Sequence, residues 1–127
     1  MAQKSPAEKM LLRSGRTVRF VNAPPDLPDL LGQVPADTAA EGAPADIILL
    51  FAHHRADLEA LLPPLRDGLA PGGMVWVAYH KGTSPVKTDI NRDTIWKYAQ
   101  TVGFDAVAQI SISDDWSAMR LKVIERG

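Results

Sequence analysis

Apolar and polar residues alternate over Thr17-Val18-Arg19-Phe20-Val21, and three of the five are β-branched, which predicts a strand. Before it, Ser5-Pro6-Ala7-Glu8 has the form of a capping box with proline at the first helical position. It predicts a short helix to about Arg13, ended by Gly15. Asn22-Ala23-Pro24-Pro25 breaks the strand, and Asp26 to Leu31 fits a short helix closed by Gly32. Residues 33–45 show little periodicity and hold one weak edge strand or none. Asp46-Ile47-Ile48-Leu49-Leu50-Phe51 is a continuous apolar run, the signature of a strand buried on both faces of a parallel sheet. Leu58, Leu61, Leu62, Leu65 and Leu69 then recur at helical spacing. Pro63-Pro64 cuts across that face, so the segment is either one kinked helix or two short ones. Ala70-Pro71-Gly72-Gly73 predicts a tight turn and Met74 to Tyr79 a second buried strand. After a polar stretch from His80 to Lys87, Thr88 or Asp89 is placed to cap a helix burying Ile95, Ala99 and Val102, with Gly103 just past its end. Ala106 to Ser113 and Ser117 to Ile124 alternate around Asp114-Asp115-Trp116, which predicts an antiparallel hairpin. Trp76 and Trp96 are both expected in the core.

Strand, helix, strand, helix and hairpin in that order predict an α/β fold. We expect a three-layer sandwich around a mostly parallel sheet, with a C-terminal antiparallel hairpin. The 127 residues suit one domain spanning 1–127. The chain has no cysteine, which excludes disulfides, cysteine-ligated zinc, iron–sulfur clusters and a thiol nucleophile. With no apolar run of signal-peptide or membrane-spanning length, a soluble cytoplasmic protein without a membrane partner is expected. The formal charge of −1 offers no global basic field, so no nucleic-acid partner is expected either. Charge is uneven, however: residues 1–21 are basic and 22–70 acidic, which leaves a homodimer through opposite patches open.

Ala45-Asp46-Ile47-Ile48-Leu49, the leucine-rich segment, and Leu69-Ala70-Pro71-Gly72-Gly73-Met74-Val75-Trp76-Val77 resemble the second half of a class I methyltransferase fold. The resemblance implies a Rossmann-like sheet over about residues 45–124, terminal hairpin included. Asn22-Ala23-Pro24, Pro71-Gly72-Gly73, the run from Lys81 to Asp93 and Asp115-Trp116-Ser117-Ala118 also resemble a small bacterial family of unknown function, over nearly the whole chain. That likeness implies a degenerate methyltransferase-like fold and brings no activity with it.

A nucleotide or S-adenosylmethionine site on such a sheet needs a glycine-rich turn after the first strand, where backbone amides approach the ligand. Here the turn is Asn22-Ala23-Pro24-Pro25. It has no glycine, and two of its four residues lack an amide hydrogen. The methyltransferase-like topology is therefore expected without the Gly-rich cofactor loop and with no cofactor. The acidic residue that would take ribose hydroxyls at the end of the second strand has only Asp37 and Glu41 as candidates.

Polar chemistry concentrates between Tyr79 and Asp93, beginning at the carboxyl end of a parallel strand, the end at which open α/β sheets bind ligands. Lys81, Thr83, Ser84, Lys87, Thr88 and Arg92, with Asp115 and Trp116 from the hairpin turn, are the ligand-binding candidates, and a small anionic ligand is the expected occupant. Catalytic residues are not assignable. A divergent S-adenosylmethionine- or nucleotide-dependent enzyme and a non-catalytic protein-interaction module are the alternatives. His53 and His54 follow the first buried strand, and only His80 remains elsewhere. No metal-ligand spacing arises, and no metal is expected.

Overall fold

The computed structural model describes residues 6–32, 34–81 and 88–124. In chain order the elements are α1 (Pro6–Lys9), β1 (Thr17–Val21), α2 (Leu27–Leu31), β2 (Asp37–Thr38), β3 (Ala45–Phe51), α3 (Arg55–Leu61), a 3-10 helix (Pro63–Gly68), β4 (Leu69–His80), α4 (Arg92–Thr101), β5 (Phe104–Ser111) and β6 (Trp116–Val123). The strands form one six-stranded sheet in the order β2-β1-β3-β4-β6-β5. The β2–β1, β1–β3 and β3–β4 pairs are parallel, whereas β4–β6 and β6–β5 are antiparallel. The hairpin thus inserts β6 into the sheet and leaves β5 at its edge.

Strand alternation sorts the apolar side chains into two cores. Ile48, Leu50, Val75 and Val77 pack against Leu58 and Leu62 of the leucine-rich segment and Ile95 and Ala99 of α4. Ile47, Leu49, Phe51, Trp76 and Ala78 face the other way, onto Ala7, Met10, Leu12 and Leu31 from the amino-terminal helices and the residues after α1. β3 and β4 are covered on both faces, which is why their sequences are continuous apolar runs. The indole N–H of the buried Trp76 donates to the Met10 carbonyl at 3.1 Å, fixing the chain after α1 to the sheet.

Several elements depart from the sequence expectation. α1 ends at Lys9, and Leu11 takes a left-handed φ of 65°, so the helix does not reach Arg13. Ser5 of the expected capping box lies outside the described residues. The leucine-rich segment, by contrast, takes one of its two expected forms: Pro63-Pro64 splits it into α3 and the 3-10 helix. The expected turn at residues 70–73 is instead an irregular start to β4. The register jumps from Ala45↔Leu69 to Ile47↔Met74, with Gly72 at a φ of 76°. α4 is capped by Asn91, whose side-chain oxygen accepts from the Thr94 amide at 2.9 Å, not by Thr88 or Asp89. Trp96 is 41% exposed, because the buried stripe of α4 runs through Ile95 and Ala99. Among the described residues no helix is long and apolar enough to cross a membrane.

Candidate functional site

The carboxyl ends of β1, β3 and β4 and the amino end of β6 meet at one edge of the sheet. The strand order reverses between β1 and β3, and open α/β sheets hold ligands in the crevice at such a point. Here the chain bonds to itself across that point. Asn22, at a left-handed φ of 59°, donates its side-chain amide to the Phe51 carbonyl at 2.9 Å, bridging the ends of β1 and β3. Beyond it Pro24 and Pro25 offer no amide hydrogen, and several of the amides that follow are engaged within the chain. Leu27 donates to the Pro24 carbonyl, and Asp29 and Leu30 both donate to that of Asp26. The five-residue α2 also spends one of its first positions on Pro28. Asp37 pairs with Thr17, at the entry of β1, so it lies at the wrong end of the sheet for a ribose. Glu41 follows in a turn whose Ala40 and Ala43 carbonyls are held by the Arg19 guanidinium at 2.8 and 2.6 Å. The residues at the switch point do not fit S-adenosylmethionine.

A second concavity lies on the α4 side of the sheet. It is a cleft of about 360 Å³ lined by Tyr79, Lys81, Asn91, Arg92, Asp93, Gln109 and Ser117. β4 supplies Tyr79 and Lys81 follows its last residue. The α4 cap supplies Asn91 and Arg92, and the hairpin supplies Gln109 and Ser117. The Tyr79 hydroxyl accepts from the Gln109 side-chain amide at 2.8 Å. Burial pushes the Tyr79 phenol above its ordinary range, while the Arg92 charge and a hydrogen bond with Ser117 pull the other way. The phenol therefore stays neutral at physiological pH. The Lys81 ammonium donates to the Ser111 hydroxyl at 2.6 Å. Arg92 is exposed, and its guanidinium has no carboxylate partner among the described residues.

On the other face, at the same end, four rings meet. His53 Nδ1 lies 3.1 Å from His80 Nε2. The His80 ring lies 4.0 Å from that of Trp116 at 32°, and Trp116 meets Phe51 edge-on at 5.3 Å. His80 is only 6% exposed, and its Nδ1 has no hydrogen-bond partner among the described residues. Burial, followed by the proximity of His53, holds the His80 imidazole below its usual pKa, with Asp115 opposing.

The eight ligand-binding candidates therefore part company. Lys81 and Arg92 come together in the cleft. Thr88 ties its hydroxyl to the His53 carbonyl, and its neighbour Asp89 accepts from the Arg55 amide at 2.6 Å. The Asp115 carbonyl takes the Lys81 amide at 2.8 Å, and Trp116 packs under His80. Thr83, Ser84 and Lys87 lie outside the described residues. Gln109 escaped the sequence reading because nothing in a hairpin's alternation marks one polar position above another. The His53–His80 contact escaped it because it depends on register: Phe51 pairs with Ala78, so the residues two further along on each strand fall side by side.

Fold and site together define a methyltransferase-like Rossmann sheet with a glycine-free, proline-bearing turn where the cofactor loop would stand. Residues 25–125 match the family described as protein of unknown function (DUF3052), and the chain belongs to that family. No curated protein sequence matches it. Among solved structures, the ribosomal protein L11 methylase of Lactobacillus delbrueckii subsp. bulgaricus superposes with a TM-score of 0.63 at 12% identity, over 94% of this chain and 75% of that one. A DhpI–SAH complex gives 0.61 at 12% identity, over 95% and 84%. A TehB-like SAM-dependent methyltransferase of Corynebacterium glutamicum gives 0.57 at 9% identity, over 95% and 89%. At these identities the likeness is one of fold.

Proposed function

We propose that this protein is a binding module for a small anionic ligand, seated in the cleft between the end of β4 and the start of α4. The observation that carries the reading is the convergence of Lys81 and Arg92 on one cleft at the ligand-binding end of the sheet. Two cations outnumber the one lining carboxylate, Asp93, and Arg92 has no carboxylate within salt-bridge distance among the described residues. The neutral Tyr79 phenol, Asn91, Gln109 and Ser117 supply orienting polar groups. A phosphate monoester or a free carboxylate small enough for about 360 Å³ matches that chemistry.

A second reading, S-adenosylmethionine-dependent chemistry, rests on the fold neighbours. The turn's lack of glycine, its two prolines and the engaged amides of Leu27, Asp29 and Leu30 speak against it.

One experiment separates the two. Thermal unfolding is followed against a panel of anionic metabolites, S-adenosylmethionine and S-adenosylhomocysteine, for the wild type and for Lys81→Glu combined with Arg92→Glu. A ligand present at a hundred times its Kd stabilises by about 2.7 kcal/mol, a readily measured shift. The expected result is stabilisation by at least one phosphate or carboxylate compound, lost in the double variant. Stabilisation that survives charge reversal would discard the cleft, and a shift with S-adenosylmethionine alone would bring the second reading forward.

A further inference from the structure

We propose that the His53–His80 pair is a proton-sensitive latch: it ties the β3–α3 turn to the end of β4 while both rings are neutral and releases in mild acid. The proposal goes beyond the ligand reading and stands without it.

The contact between His53 Nδ1 and His80 Nε2 needs one proton and one lone pair. Two tautomeric arrangements supply them. If His53 donates, His80 must carry its own proton on Nδ1, a buried N–H without a partner among the described residues. If His80 donates, Nδ1 is left as a bare lone pair, which is the cheaper burial. The surroundings therefore assign the proton to His80 Nε2 and leave His53 protonated on Nε2. A further proton on the pair, whichever ring accepts it, obliges His80 Nδ1 to become an N–H in its buried position while the contact lasts. Taking up that proton and keeping the contact are in competition.

The charged and titratable groups around the pair do not relieve this. From the start of α3, Asp57 spends a carboxylate oxygen on the His53 and His54 amides at 3.0 and 3.3 Å, and exposed His54 adds a like charge when protonated. From the segment before α4, Asp89 is held by the Arg55 amide and lies 3.9 Å from His54 Nδ1. From the hairpin turn, Asp115 favours the charged form of His80 but is outweighed by burial. Lys81, next along β4, is turned to Ser111. The Trp116 face would welcome a cation, yet the desolvation of His80 prevails.

The pair sits where two connections are fastened. Its backbone neighbours carry the Ala52 amide to the Ala78 carbonyl, the Lys81 amide to the Asp115 carbonyl, and the Thr88 hydroxyl to the His53 carbonyl. Losing the ring contact loosens that set together.

In the unfolded chain His80 takes its proton near 6.5, and in the fold it does so at lower pH. Between those values the unfolded state binds more protons, so the latch contributes fully above about 6.5 and its contribution is lost as pH falls.

The test follows the full chain from pH 8 to pH 5 by thermal unfolding and by amide exchange. In the wild type the unfolding midpoint is expected to hold above 6.5 and to drop below it. Protection of the Ala52 and Lys81 amides should fall by up to about tenfold per pH unit, the slope for one proton. His80→Phe keeps a ring on Trp116 and removes the titration, so it should flatten both profiles, whereas His54→Asn should keep them. Wild-type imidazole nitrogen shifts provide a readout that needs no variant: at pH 8 His80 Nδ1 should appear unprotonated. A proton on Nδ1 at pH 8, or an acid drop of the same size in His80→Phe, would overturn the latch.

Discussion

Trp76→Ala is expected to destabilise the protein by about 3–5 kcal/mol, the range for deleting a buried large aromatic. Trp76 is 1% exposed at the centre of the core beneath the amino-terminal helix. Its loss opens a cavity lined by Ile47-side and Met10-side atoms and leaves the Met10 carbonyl without its indole donor. A domain of this size commonly has a total stability of about 5–15 kcal/mol, so one substitution removes a large part of it. Urea unfolding, with unchanged m-value, measures the effect. Trp96→Ala provides the contrast. At 41% exposure it should cost less than about 1 kcal/mol, in line with surface positions. Equal losses at the two tryptophans would contradict the packing described.

Gly73→Ala is the second large effect. A Cβ at this position would lie 2.9 Å from the Ala70 carbonyl oxygen, 3.0 Å from that of Asp46 and 3.2 Å from that of Ala45. All three are backbone atoms at the irregular start of β4, where the strand joins β3, so no side chain can swing aside. The cost should reach about 3 kcal/mol, the upper part of the overpacking range. Gly72→Ala meets no atom within 4 Å and suffers only from its φ of 76°. It should therefore lose about 1 kcal/mol, the usual cost of a left-handed residue with a side chain. Chemical denaturation of both variants checks the order, and a larger loss at Gly72 would contradict it.

These two sites show where the sequence was legible and where it was not. The buried strands were plain in Ile47 to Phe51 and Met74 to Tyr79, because both faces of a parallel strand are covered and the apolar run is continuous. The glycine pair was also plain as a break, but its form was not. A turn and a strand irregularity both require glycine, and only pairing with β3 decides between them. Trp96 illustrates a different limit. It neighbours Ile95 on the helix, and a shift of one residue, about 100°, moves a side chain from the stripe facing the sheet to its solvent flank.

The site was half legible. Lys81 and Arg92 were identifiable from the rule that ligands gather at the carboxyl ends of parallel strands, and the structure brings both to one cleft. Trp116 is near in space but serves the opposite face, because successive residues of β6 point to opposite sides and Ser117 faces the cleft, while Asp115 meets Lys81 through its backbone carbonyl. The unusual first turn was legible from its prolines alone. Its consequence, the Asn22 bridge to Phe51, required the structure.

On the proposed reading the sheet is methyltransferase-like and the ligand site lies on the α4 side, away from the switch-point crevice. A crystal of the protein soaked in a heavy divalent anion such as tungstate, with its anomalous scattering mapped, locates that site. The expected result is a peak between Lys81 and Arg92 in the Tyr79 cleft. A peak instead at the turn following Asn22, with the cleft empty, would contradict it.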